Sequence, residues 1–306
     1  MGVLKENQQP YLVFTPYSKR WKQQVSSEVF RAYATEKYFN NFYKQPPKDI
    51  PSLYQIGFQP VNAKLPPPLV DVGLIRHYHE TRDTPALSGT SHLGVHLRFG
   101  TISIRSLVEL ALQHNETFLN ELIWREFFQM ILSHFPQVAE GKSFNPQYDL
   151  MQWKNDEEEF AKWCSGQTGY PIVDAGMREL NETGFMHNRV RMITASFLCK
   201  HLLIDWRWGE AYFAEKLLDF ELASNNGNWQ WVAGCGVDAA PYFRVFNPLL
   251  QAKKFDPENI YIMKWVPEWN TGSYPPPMVN HEEARTRALM TYEKMRSDST
   301  RIGSFR

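Results

Sequence analysis

From Ser103 to Leu218 the apolar residues keep returning at helical spacing, and neither a convincing β-α-β alternation nor a glycine-rich nucleotide fingerprint interrupts them. A chain patterned this way must bury helical stripes against one another, so the expected fold class is all-α. Ser103 can cap a helix running through Leu112, and Phe118 to Leu132 carries the next apolar face. Pro171 suits a first helical position, with Ile172, Val173, Met177 and Leu180 facing inward and Gly184 as terminator. Two further helical stretches run from Arg189 to Leu203 and from Glu210 to Leu218. Upstream, Pro46, Pro47, Pro51, Pro60, Pro66, Pro67 and Pro68 leave no periodicity and read as an extended connector. The chain therefore divides into residues 1–68, connector and start of the helical region, and residues 69–306, a helical domain.

Composition narrows the function without naming it. With 306 residues, 43% of them apolar, the chain can bury a substantial core. Its 33 Lys and Arg balance its 33 Asp and Glu, so any binding to nucleic acid must come from a local basic patch. Three cysteines, Cys164, Cys199 and Cys235, are odd in number and lack paired metal-ligand spacing. They argue for a reducing cytoplasm and against both a disulfide framework and a metal site. No run of 18 apolar residues suggests a membrane span, and the first 20 residues lack the apolar segment of a signal peptide.

Ten tryptophans are less informative than where they stand. In Asp219-Phe-Glu-Leu-Ala-Ser-Asn225-Asn-Gly-Asn-Trp229-Gln-Trp231 two indoles at i and i+2 point nearly opposite ways on helix or strand, so they must serve two environments. This segment resembles the flavin-binding motif of the photolyase and cryptochrome family. Gly184-Phe-Met-His-Asn188-Arg-Val-Arg191-Met192 resembles its partner motif, and Asn120-Glu121-Leu-Ile-Trp124-Arg125-Glu126-Phe127 a third. Val13-Phe-Thr-Pro-Tyr17, Gly89-Thr90-Ser91, Thr168-Gly-Tyr-Pro-Ile-Val-Asp174, Leu203-Ile-Asp-Trp206 and Asp238-Ala-Ala-Pro-Tyr-Phe-Arg244-Val-Phe-Asn-Pro248 match in family order. The resemblance runs from about Tyr11 to the C-terminus and is closest to the photolyases that act on cyclobutane pyrimidine dimers.

The resemblance implies an FAD held in a helical domain beneath a cavity for a flipped-out dimer. Tyr78, Thr90 and Ser91 would lie on its phosphate side, and Arg191 and Asp219 would form an ion pair beside the flavin ring. Glu221 and Asn225 would complete the cofactor set, with Asn225 facing flavin N5, where a neutral amide can accept a hydrogen bond or donate one. Glu221 stands where an Asp is usual, and Gly94 where a Ser or Thr often reaches the phosphate. Trp124 and Trp231 match the aromatic walls of the dimer pocket, Glu121 and Asn188 its polar edge, and Met192 a polarizable packing surface. Without a cation nearby, burial would favour a protonated Glu121 that donates to the lesion. Trp229, Trp206 and Trp153 match a tryptophan relay carrying electrons inward. Arg82, Arg125, Arg189, Arg244 and Lys253 are candidates for a basic rim that contacts DNA phosphates.

These assignments imply a deoxyribodipyrimidine photo-lyase, a carbon–carbon lyase driven by light, with DNA containing pyrimidine dimers as partner. A cryptochrome-like light sensor and an inactive flavin-binding fragment are the competing readings. An N-terminal α/β domain, which in the family precedes the Val13-Phe-Thr-Pro-Tyr17 motif and often holds an antenna pigment, is not expected on this chain, and neither is the pigment. A monomer is expected, with association possible through the surface such a domain would cover.

Overall fold

The computed structural model describes residues 3–26, 30, 33–61 and 64–303. The remaining parts of the expected connector, at 1–2, 27–29, 31–32 and 62–63, and residues 304–306 of the helical domain lie outside the described residues. Thirteen α-helices follow one another among the described residues: α1 (Phe14–Gln24), α2 (Val72–Thr81), α3 (Gly94–Phe99), α4 (Ile104–His114), α5 (Glu116–His134), α6 (Glu157–Ser165), α7 (Pro171–Thr183), α8 (Asn188–Ser196), α9 (Trp206–Lys216), α10 (Leu222–Ala233), α11 (Pro248–Phe255), α12 (Ile260–Trp265) and α13 (His281–Gly303). No strand is present among them beyond an isolated bridge between Leu4 and Pro10, so the fold is all-α as the periodicity required. No described helix is long and apolar enough to cross a membrane.

Several helix ends fall where local chemistry puts them. Ser103 caps α4 by accepting from the Ser106 N–H at 3.4 Å, Pro171 opens α7, and Gly184 closes it at φ +69°. The Thr168–Asp174 segment is a buried knot at the start of α7. There the Asp174 carboxylate accepts from Thr168 N (2.8 Å), Thr168 Oγ1 (2.6 Å), Gly169 N (3.0 Å) and the Tyr274 hydroxyl. The Arg189–Leu203 stretch is not one helix. α8 ends at Ser196 and the chain continues as a π-helical turn, Phe197–His201, closed by Leu202 N to Phe197 O at 3.2 Å. α9 starts at Trp206, four residues before Glu210, because Asp205 accepts from the Arg207 N–H and caps it there.

Two large hydrophobic cores, with a smaller one around Met151 and Tyr292, are formed by the described residues. One gathers Tyr17 and Trp21 of α1, Ile75 of α2, Leu107 of α4 and Ile123, Phe127 and Phe128 of α5. The other gathers Trp163, Val173, Met177, Leu198, Trp206, Phe213 and Trp229. Burying an indole such as Trp163 or Trp206, both essentially without solvent contact, removes ~150–250 Å² from water, worth at most ~4–6 kcal/mol each.

α10 belongs to both cores, with Ala223 in the first and Trp229, Val232 and Ala233 in the second. Its Asn225-Asn-Gly-Asn228 run is a poor helix former, the glycine alone costing about 1 kcal/mol. Tertiary contacts override that preference. Asn226 donates to Val138 O (3.1 Å), Gln230 Nε2 donates to Asn226 Oδ1 (2.9 Å), and Gln230 Oε1 accepts from Phe144 N (2.7 Å). Close approach does the rest, since a Cβ on Gly227 would run into the Phe128 ring of α5 and one on Gly209 into the Trp229 ring. Gly227→Ala is expected to overpack this contact and cost ~1–3 kcal/mol, a fall of roughly 2–12 °C in thermal midpoint. Gly272→Ala, where a Cβ meets nothing within 4 Å, is expected to leave the midpoint unchanged in the same calorimetric scan.

Candidate functional site

The first turns of α8 and α10 face each other across a cleft, and the segment 219–221 that leads into α10 closes its inner end. The inner part, about 560 Å³ of free space, is lined by Asn188, Arg191, Met192, Asp219, Asn225 and Trp229 among others. The outer part, about 1110 Å³, shares Asn188, Arg191, Met192, Asp219 and Glu221 with it and adds Arg82, Glu121, Trp124, Arg125 and Trp231. Helical geometry explains the split. Trp229 is 3% exposed and closes the inner space, whereas Trp231, two residues on, faces the outer cleft opposite α5.

Three polar arrangements set the electrostatics. Arg191 donates through Nη2 to both oxygens of Asp219, at 3.2 and 2.9 Å, and through Nε to Met186 O at 2.7 Å. Asn225 donates through Nδ2 to the Glu210 carbonyl (3.1 Å) and carboxylate (2.9 Å), which leaves Oδ1, an acceptor, as its remaining polar atom. Burial pushes the Glu210 carboxyl above its ordinary range, and the Asn225 hydrogen bond opposes that. Third, Arg82 sits on Glu121 in a close ion pair, with its guanidinium also 5.4 Å from the Tyr78 ring. Burial holds the Glu121 carboxyl above its ordinary range, and Arg82 opposes that rise without cancelling it.

This last pair bears on two expectations. Glu121 has a cation beside it, so it sits as half of an ion pair and not as an isolated buried acid. Arg82 lines the cleft, where Glu121 holds it. Arg189 is likewise engaged, through Nη2 to Asp83 at 2.7 Å and over the Phe255 ring at 4.3 Å. Arg125 reaches Leu97 O at 3.4 Å from inside the cleft, while Arg244 and Lys253 are exposed. Glu221 lines the cleft but uses its carboxylate to cap α10, accepting from Ala223 N (3.2 Å), Ser224 N (3.0 Å) and Ser224 Oγ (2.8 Å). Gly94 has a packing reason for its missing side chain: a Cβ there would lie 3.0 Å from both Cβ and Oδ2 of Asp219.

The remaining expected residues divide by place. Met192 lines both parts of the cleft and receives Arg189 Nη1 at 3.8 Å from its sulfur, and the exposed Asn188 amide makes no hydrogen bond among the described residues. Tyr78 stands on α2, packed edge-on to Phe118 at 5.1 Å, and Thr90 and Ser91 stand on the segment leading into α3. None of these three is among the residues lining the cleft. Trp206 and Trp229 are buried in one core, and half-buried Trp153 packs on the same core and edge-on to Tyr292 at 6.3 Å. Glu210 and Asp83, which hold Asn225 and Arg189, were not legible as partners. Asp83 lies 106 positions from Arg189, and Glu210 stands on α9, a different helix from Asn225.

Removing the guanidinium from the Arg191–Asp219 pair leaves a carboxylate only about a fifth exposed without its cation. Arg191→Ala is expected to cost ~2 kcal/mol, near the low end for a lost buried partner because both groups keep some solvent, and to lower the thermal midpoint by about 4–8 °C. A midpoint unchanged within 1 °C, read by the same scan, would contradict the pair's place in the fold.

Comparison with known proteins gives the family. Residues 118–273 match the family model described as the FAD binding domain of DNA photolyase. The deoxyribodipyrimidine photo-lyase of Escherichia coli K12 is 38% identical over 96% of this chain and 70% of its own length. That of Vibrio cholerae is 44% identical over 72% of this chain and 52% of its own. Among solved structures, a class III photolyase from Agrobacterium tumefaciens superposes with a TM-score of 0.82 at 36% identity, covering 95% of this chain and 70% of that one. A Synechocystis cryptochrome superposes with a TM-score of 0.64 at 35% identity, covering 72% and 52%. The chain thus spans half to seven tenths of these relatives. With the family's flavin-domain model matched over half its length and a relative 38% identical across 70% of that relative's length, it belongs to the DNA photolyase family and carries that family's FAD-binding helical domain.

Proposed function

We propose that this chain repairs cyclobutane pyrimidine dimers in DNA under light. The observation that carries the reading is the pair of indoles, Trp124 and Trp231, lining one cleft that deepens directly into the space beside Arg191, Asp219 and Asn225. FAD suits the residues present. The inner space joins an aromatic wall, Trp229 and Phe220, to a fixed guanidinium and to an amide whose one unengaged polar atom is an acceptor. The chemistry that FAD supplies when bound is absorption of blue light and reversible donation of one electron.

The side chains do the rest. Photolyases are among the enzymes that extrude their target nucleotide from the duplex. Trp124 and Trp231 offer apolar surfaces to bases that have lost their stacking partners, and Met192 adds a polarizable one. Arg82, held by Glu121, and the Asn188 amide present donors at the same cleft, where negative charge develops on the pyrimidine carbonyls as the dimer opens. Arg191 keeps a cation beside the inner space and favours negative charge there. Trp229, Trp206 and Trp153 supply oxidisable indoles between that space and the outside of the core. Since the borrowed electron is returned, the net reaction is the cleavage of two C–C bonds, a lyase reaction. Tyr78, Thr90 and Ser91 are assigned to the phosphate side of the cofactor, and Arg125, Arg244 and Lys253 to the DNA backbone.

A purified, FAD-loaded sample incubated with an ultraviolet-irradiated thymine oligonucleotide is expected to lose dimers only under illumination. Bound, photoreducible FAD with persisting dimers would overturn the repair reading in favour of a light sensor of the cryptochrome kind. The exposed Arg244 and Lys253 give a second outcome: replacing either by Ala is expected to reduce the slope of log affinity against log salt by about 1, across damaged and undamaged DNA alike. Titrations at several salt concentrations measure that slope. Exposed apolar residues of the connector, Tyr43 at 86%, Ile50 at 92% and Val61 at 82%, are where a second surface would attach.

A further inference from the structure

Two sequence motifs have no part in the cleft lining described so far, Val13-Phe-Thr-Pro-Tyr17 and the loop that begins at Asp238. They meet. Asp238 Oδ2 accepts from the Phe14 N–H at 3.0 Å, at the first residue of α1, across 224 positions of sequence. The Phe14 ring lies flat on the Trp124 indole, 3.6 Å between centroids and 4° between planes, and meets Phe127 edge-on at 5.9 Å. On its other side the Asp238 loop is fastened to the second wall: Ala240 N donates to the carbonyl of Trp231 at 3.2 Å, and Val237, 4% exposed, is anchored in the core that holds Phe127. α1 itself is seated on α5 by Glu126, which accepts from Trp21 Nε1 (2.8 Å) and Tyr17 OH (3.2 Å).

We propose that Phe14 and Asp238 are positioning residues for lesion recognition, a one-stack, one-hydrogen-bond brace that fixes the Trp124 wall relative to the Trp231 wall. The inference rests on the reading of these two indoles as the lesion walls. Asp238 suits the task in two ways. Its carboxylate sits at the N-terminus of α1, where a negative charge is favoured and an unpaired N–H needs an acceptor. Its backbone is left-handed, φ +48°, a conformation that Asp and Asn tolerate better than most residues and that holds the loop turned toward α1. A dimer is wider and more rigid than one flipped base, so a cleft of fixed width separates damaged from undamaged DNA more sharply than one whose walls drift.

The test is dark binding of the FAD-loaded protein to a duplex oligonucleotide carrying one thymine dimer and to the same duplex undamaged. Asp238→Gly removes the acceptor while permitting the left-handed backbone, and Asp238→Asn keeps both. Asp238→Gly and Phe14→Ala are each expected to lower the damaged-to-undamaged affinity ratio about tenfold, with affinity for undamaged DNA within twofold of the parent. Asp238→Asn is expected to stay within twofold of the parent ratio. The two lie in series, so the double variant is expected to be no worse than the poorer single. A ratio unchanged in Asp238→Gly would overturn the brace. So would a loss matched by Asp238→Asn and accompanied by lost FAD absorbance, which would mark a structural role. Should Phe14→Ala fail to fold, Asp238, exposed and outside both cores, still decides the matter. A parent protein that does not prefer the dimer would overturn the functional reading and the brace together.

Discussion

The close passage of α10 between its neighbours is what the rest of the molecule depends on. A helix containing Asn-Asn-Gly-Asn has little reason to form alone, and it forms because Gly227 lets the Phe128 ring of α5 approach while Gly209 lets α9 close over Trp229. That packing fixes the rotation of α10 about its axis. Once the rotation is fixed, Asn225 and Trp229 must face the inner space and Trp231 the outer cleft. The inner space and the outer cleft are thereby joined on one rigid element, an arrangement that keeps groups within reach of each other without a moving part.

The charges follow the same logic. Three arginines in and beside the cleft are held by carboxylates from other elements: Arg191 by Asp219, Arg82 by Glu121, Arg189 by Asp83. Such pairs add little to stability, because desolvating both charges offsets most of their attraction. What they contribute is position. Glu210 does the same for a neutral group, taking the two donors of the Asn225 amide and leaving its acceptor.

Most of the fold was legible because it rests on local chemistry: the Ser103 cap, Pro171 at the start and Gly184 at the end of α7 are rules a few residues long. The exceptions are instructive. α10 could not be read as a helix because its own propensity is poor and its stability comes from Phe128 and Val138, far away in sequence. The break after Ser196 was invisible because apolar spacing runs unbroken through Phe197, Leu198 and Leu202 into the π turn. In the site, the opposed environments of Trp229 and Trp231 followed from their spacing of two. The capture of Arg82 by Glu121 did not, because nothing local distinguishes an arginine on a DNA rim from one folded into the cleft beside a carboxylate 39 positions on. Gly94 looked like a lost phosphate contact and is the room that Asp219 occupies.

The central claim is that α10 divides two tasks between residues 229 and 231. It is tested most directly by comparing Trp229→Phe with Trp231→Ala in two assays, photoreduction of oxidised bound FAD and repair of a thymine dimer by chemically reduced protein. The account predicts that Trp229→Phe loses photoreduction yet repairs dimers once reduced, whereas Trp231→Ala photoreduces normally and repairs poorly. If both substitutions impair both assays to the same extent, the division is wrong and α10 acts as a single undivided wall.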